Sequence, residues 1–167
     1  MNKELRVARC ACGRVRCETV GAPIVSTVCY CSDCQAGGRQ IEALEGALPV
    51  LDPDGGTPYS TFRNDRFECV EGAELLVGYK LGEKAPTQRF VASCCNSGMF
   101  IRFEPGWWIS AYRMRFAEPL PPIEMRNKVA RRHSTLPLPA DAPSYRGFPG
   151  KLYWRLITAR AAMLMGR

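Results

Sequence analysis

Apolar and polar residues alternate along LRVARC and GRVRCETV, as in strands with one buried face. PIVSTVCY is β-branched and leads directly into a cysteine-rich stretch. Pro, Asp and Gly then occupy turn positions in ALPVLDPDGGTPYS, which reads as a loop. RFECV, ELLVGYK, QRFVAS and MFIRF follow as short strands, and WWISAYRMRF as the last long one. Many short strands separated by turns predict an all-β or mainly β core.

The character changes after Pro119. EPLPPIEM is proline-rich and should be extended, EMRNKVARRH reads as a short helix, and LPLPADAPSYRGFPG holds too many prolines to be regular. KLYWRLITARAAMLMGR then has helical periodicity. Leu152, Leu156, Ala159 and Met163 share one side, with Tyr153, Ile157 and Leu164 beside them. A helix from Lys151 to about Met165 is expected, laying Leu152, Leu156, Ile157 and Met163 on apolar surface of the same chain or of a second subunit, which would make a homodimer. The organisation expected is a β domain over residues 1–118. Residues 119–167 add a proline-rich connection and an amphipathic helix packed on that core.

Composition narrows the class. The chain has 167 residues, 46% hydrophobic, enough for one domain with a core. No stretch approaches the roughly 18 apolar residues of a membrane span. The N-terminal MNKELRVARC lacks the apolar region of a signal peptide, so a cytoplasmic protein is expected. A reducing cytosol disfavours disulfides, so nine cysteines call for another explanation, and zinc is the usual one. The net charge is +7. From Arg126 onwards the cations face only Asp141, which suits an anionic small substrate or a solvated basic surface. The basic segment MRNKVARRH has no interleaved aromatics, and no nucleic acid is expected as a partner.

VCYCSDC carries Cys29, Cys31 and Cys34 at C-x-C-x-x-C spacing. Residues two apart in an extended segment point the same way, so Cys29 and Cys31 project together. A turn at Ser32-Asp33 then brings Cys34 back, and Gly37 and Gly38 let the backbone leave. Three soft ligands from one loop leave a fourth tetrahedral position open, which suits capture of a substrate thiol. A second group begins with Cys10 and Cys12 in RCACGRV, and its partners are sought at Cys94 and Cys95 in SCCNSG. Adjacent strand residues face opposite ways, so both of these bind one ion only if the backbone twists. Cys17 and Cys69 read as small core residues, and His133, the single histidine, as a surface residue.

The order CACGRVRC, CYCSDC and QRFVASCCNSG resembles the family of glutathione-dependent formaldehyde-activating enzymes, which includes the centromere protein V domain. The resemblance spans roughly Val7 to Phe116. It implies a β-tent fold of twisted antiparallel sheets with two zinc ions. Cys10, Cys12 and Cys94 fall on structural-zinc positions. Cys29, Cys31 and Cys34 fall on catalytic positions, where zinc meets the glutathione sulfur. Aligning Gly98 with the family glycine puts Ser97 where the fourth structural cysteine belongs, and Cys95 is the candidate substitute. Tyr30 stands where the family often has histidine.

Two functions follow from these residues. One is a zinc-dependent thiol-handling enzyme, a carbon–sulfur lyase that joins glutathione to a small aldehyde such as formaldehyde. The other is a non-catalytic, zinc-stabilised binding module with a basic C-terminal tail.

Overall fold

A computed structural model describes residues 4–166. In chain order the elements are β1 (Leu5–Arg9), β2 (Arg16–Val20), β3 (Val25–Cys29), α1 (Ser32–Glu42), β4 (Thr57–Arg63) and β5 (Phe67–Glu71). They continue with β6 (Leu76–Tyr79), β7 (Thr87–Ala92), β8 (Ser97–Phe103), β9 (Trp108–Tyr112), β10 (Met125–Asn127) and α2 (Gly150–Leu164). The chain is mainly β, as its patterning predicts. The described residues form a three-stranded sheet in the order β1-β2-β5 and a seven-stranded sheet in the order β10-β3-β4-β9-β8-β7-β6.

The large sheet buries both faces. On one face Phe62, Phe100, Ile109 and Ala111 meet Ala8, Val15 and Cys17 next to the small sheet, with Phe67, Phe90 and Phe116 packed around them. On the other, Tyr59, Val91, Ile101 and Tyr112 pack against Ile41 of α1 and Val50. Strand alternation sorts Phe62 from Tyr59 and Ile109 from Tyr112. Cys17 is fully buried and pairs in register with the half-buried Cys69 across β2 and β5. None of the nine cysteines is in a disulfide.

Four expectations need correction. The turn expected at Ser32-Asp33 and the exit expected at Gly37 and Gly38 are instead one helix of 11 residues, Ser32–Glu42. Gly37 and Gly38 do not release the backbone but let α1 lie close to its neighbours. A Cβ at Gly37 would fall 1.9 Å from Arg89 Nε, and one at Gly38 2.4 Å from a Leu51 methyl carbon. Next, the end of the expected loop ALPVLDPDGGTPYS is the start of β4, a central strand between β3 and β9. Its Ser, Thr and Pro content hides it. Ser60 meets the Ser26 hydroxyl at 3.0 Å and Thr61 meets Ser110 at 3.1 Å, so neighbouring strands satisfy these two hydroxyls.

The third correction concerns EMRNKVARRH. Met125–Asn127 forms β10, parallel to β3, and only Val129–Arg131 makes a 3-10 turn. The open edge of β3 supplies hydrogen-bond partners that outweigh a weak local helix preference. The fourth concerns α2, which spans Gly150–Leu164 as expected and turns Leu152, Leu156, Ala159 and Met163 half-inward. Ile157 is not buried but 56% exposed, and Trp154 is 67% exposed. The helix touches the body of the same chain at few points. Trp107 Nε1 donates to the Leu156 carbonyl at 3.1 Å, Arg155 reaches the Ile24 carbonyl and Glu124, and the Arg160 guanidinium lies over the Trp107 ring. No helix among the described residues is long and apolar enough to cross a membrane.

Candidate metal centre

Cys29 ends β3, Cys31 caps the N-terminus of α1, and Cys34 lies in that helix's first turn. The structure brings their sulfur atoms within 4.8 Å of one another. The backbone N–H of Cys34 donates to Cys31 Sγ at 3.3 Å, the capping contact of the helix. A helix N-terminus favours negative charge, and so favours a thiolate there. The Cys31 thiol is lowered to about 2, first by hydrogen bonds from the Cys29 and Cys34 thiols and then by backbone N–H groups. Cys29 is correspondingly pushed up to about 12, chiefly by donating to Cys31, and Cys34 is raised by its hydrogen bonds with Cys29 and Cys31 and by burial.

Cys10 and Cys12 lie in the turn between β1 and β2, and Cys94 and Cys95 in the turn between β7 and β8. These four also come together, with separations of 3.6 Å for Cys10–Cys12, 3.8 Å for Cys10–Cys94, 3.3 Å for Cys12–Cys94 and 3.9 Å for Cys94–Cys95. A tetrahedral ion with bonds of about 2.3 Å holds its sulfurs about 3.8 Å apart, so the donor set fits such an ion. The two adjacent cysteines converge because the chain turns over 93–96, with Asn96 at φ 53°. Ser97 is buried beside them. Its hydroxyl accepts from the Ala11 N–H at 3.0 Å and from Arg115 at 3.3 Å, and meets Cys95 Sγ at 3.1 Å. Arg14 donates to the Cys94 carbonyl and helps hold the Cys12 thiol down at about 6. Two cations thus stand beside a set of four thiols that would carry excess negative charge around a divalent ion.

The two groups differ in surroundings. Cys29, Cys31 and Cys34 open onto a cavity of about 820 Å³ between the large sheet and α2. Their group holds three sulfurs, and no histidine or carboxylate joins them among the described residues. A fourth position on an ion there would face the cavity.

Several cavity residues were not picked out from the sequence. The Tyr59 hydroxyl donates towards Cys34 Sγ at 3.9 Å. Burial and the nearby Cys34 raise its pKa, so it stays protonated. Arg89 is 1% exposed, and its Nη2 donates to the Asp33 carbonyl at 2.6 Å, while its Nε and Nη1 have no hydrogen-bond partner. Asn127, in register with Cys29, keeps an unpartnered Oδ1. For Arg89 one signal was present: it shares strand parity with Val91, so it is an arginine at an inward position. Tyr59 gave no such signal within its hydroxyl-rich strand.

Tyr30 is fully buried and faces away from the thiols. Its hydroxyl donates to Asp54 at 2.7 Å and accepts from Arg126 at 2.6 Å, and Arg126 also grips Asp141 through two nitrogens. This network ties the cysteine loop to β10 and the C-terminal segment. His133 is exposed and lies outside both cysteine groups.

The fold and the two thiol groups define a mainly β protein with two candidate metal centres. Residues 5–45 match the family model described as glutathione-dependent formaldehyde-activating enzyme. The match takes in Cys10, Cys12, Cys29, Cys31 and Cys34, so the resemblance read from those motifs holds over that part of the chain. A crystal structure of a Rhodobacter sphaeroides protein, a structural-genomics target, is also similar, at 18% identity and a TM-score of 0.48. It covers 69% of this chain and 91% of its own. No curated protein matches the chain.

Proposed function

We propose that this chain is a zinc-dependent, thiol-handling enzyme of the carbon–sulfur lyase type. It joins a thiol such as glutathione to a small aldehyde such as formaldehyde, or runs that reaction in reverse. The observation that carries the reading is the group of three sulfurs opening onto a cavity, beside a second group of four that is complete in itself. Cys29, Cys31 and Cys34 would hold the catalytic zinc, and Cys10, Cys12, Cys94 and Cys95 a structural one. Bound zinc would supply Lewis acidity, lowering the pKa of an incoming thiol and positioning its sulfur.

The chain's own residues supply the rest. As the sulfur attacks the carbonyl carbon, a C–S bond forms and the C=O π electrons move onto oxygen. Arg89, which lines the cavity and has an Nη1 without a protein partner, is the donor for that oxygen, a charge-assisted contact. Tyr59, kept protonated by burial, is the proton donor for the resulting alkoxide and is restored by the proton that the thiol loses, and the same transfers run backwards in the reverse direction. The alternative of a binding module with a free basic tail is weakened. Arg126 pairs with Asp54 and Asp141, Arg155 pairs with Glu124, and Lys128 sits over Phe148.

The test is cobalt substitution followed by thiol titration. Purified, reduced protein should carry two metal ions per chain. The cobalt form should show thiolate charge-transfer bands, and added glutathione should change only those from the three-sulfur site. Metal-free protein, or bands indifferent to every thiol, would overturn the reading.

A further inference from the structure

The cavity is far larger than formaldehyde needs. About 820 Å³ lies in the upper part of the range for drug-sized ligands, roughly 300–1,000 Å³. Its composition changes along its length. The sheet contributes the hydroxyl of Thr27, two residues before Cys29, and then those of Thr61 and Ser110, which lie in register with Val25 and so farther from the cysteines. Away from them the walls become apolar: Phe103, Trp107 and Trp108 on one side, and Leu152, Leu156 and Ile157 of α2 on the other. Phe148 and Tyr153 stand at the rim, 40% and 53% exposed. The helix wall lies wholly outside residues 5–45, the part that matches the family model. Charges at the lining are unequal, with Arg89, Lys128 and Arg131 against Asp33 alone.

We propose that this cavity binds the apolar part of the substrate, so that the thiol handled at Cys29, Cys31 and Cys34 carries a bulky alkyl or aryl group. The group is neutral or ends in an anion. This inference rests on the proposed thiol chemistry for the position of the sulfur, and on the walls for the rest of the molecule. Apolar surface that faces a half-open cavity gains when a hydrocarbon replaces water there. Each methylene fully buried tightens binding roughly fourfold. The α2 helix then acts as a specificity wall: it meets the sheet at few points, through Trp107 and Arg155, and leaves the space between them for ligand. The excess of lining cations disfavours a cationic thiol.

The experiment compares ethanethiol, 1-hexanethiol and glutathione on the cobalt-loaded protein. Two signals are followed separately: the cobalt bands, which report the sulfur, and tryptophan fluorescence, which Trp107 and Trp108 make sensitive to the apolar wall. Hexanethiol should bind at least tenfold more tightly than ethanethiol by both signals. Leu156→Asp should remove most of that advantage while leaving ethanethiol affinity unchanged. Leu156→Trp, which fills the cavity without adding charge, should do the same, so that the result does not depend on one variant folding. Equal affinity for both thiols in the cobalt bands overturns the inference and leaves the thiol chemistry standing. A chain-length preference in fluorescence with unmoved cobalt bands upholds the apolar site and overturns the sulfur-binding reading. No response in either signal overturns both.

Discussion

Replacing Arg126 by leucine should destabilise the protein by about 3 kcal/mol. The guanidinium is 4% exposed, and its Nη1 lies 3.7 Å from the Asp54 carboxylate, itself 8% exposed. Removing one member of a buried ion pair costs about 3–5 kcal/mol, because the remaining charge is stranded. The lower end applies here, since Asp54 keeps hydrogen bonds from the Tyr30 hydroxyl and the Gly56 N–H. The Asp141 contact adds little, because that carboxylate is half-exposed and water replaces the lost partner. For a chain of this size a loss of 3 kcal/mol lowers Tm by roughly 6–12 °C. Urea unfolding of the metal-loaded protein, with a thermal melt beside it, measures the loss. Asp54→Asn in the Arg126→Leu background should recover part of it by removing the stranded charge. A loss below about 1 kcal/mol, or no recovery in the double variant, would refute the reasoning that Arg126 joins the cysteine loop to the C-terminal segment.

Cys10→Ser should lower stability by several kcal/mol and sharply raise sensitivity to chelators, whereas Cys17→Ser should cost less and leave metal content unchanged; structural zinc contributes on the order of 10 kcal/mol in small domains. Ser97→Ala should cost about 1 kcal/mol in urea unfolding, since it removes the acceptor of the part-buried Ala11 N–H and a buried contact of Arg115. Loading the three-sulfur site should release about two protons per ion, from Cys29 and Cys34, because Cys31 is held deprotonated while the other two are held protonated. Metal affinity there should therefore fall as pH falls, by about 100-fold per unit around neutrality, and calorimetry in buffers of different ionisation enthalpy measures it. Deleting the residues after Gly150 should lower Tm modestly, as the half-buried Leu152, Leu156 and Met163 each contribute only part of the roughly 1.5–3 kcal/mol of full burial.

What was legible in the sequence follows from how local each signal is. The cysteine groups were legible because their spacing acts within a few residues: C-x-C at the end of a strand and a third cysteine one turn later need little from the rest of the fold. The strands with strict alternation were legible for the same reason. The α1 helix was not. It carries two adjacent glycines, which cost helix stability in isolation and read as a break. Their purpose is seen only once Arg89 and Leu51 are in place against the helix. Nor was β4 legible, because hydroxyls that look like loop chemistry find partners only on β3 and β9, far along the chain. The edge strand β10 depends wholly on β3, and a three-residue parallel pairing has no local signature.

The departures from the pattern of the family that the chain resembles become coherent when the contacts around them are followed. Ser97, in the position of an expected cysteine, is the buried acceptor for Ala11 and Arg115, and that anchors the loop carrying Cys10 and Cys12. Cys95 supplies the fourth sulfur from two residues earlier, which the left-handed turn at Asn96 makes sterically accessible. Tyr30, in the place of a frequent histidine, points away from the thiols and into Asp54 and Arg126. Arg126 belongs to β10, so the tyrosine side chain couples the cysteine loop to the segment that leads to α2. Through that segment the chain reaches α2, whose Leu152, Leu156 and Ile157 line the cavity. Tyr30 beside the cysteines and Asp141 of the connection before α2 thus meet through one side chain, Arg126. Changing Tyr30 should therefore be felt at the cavity wall as well as at the loop.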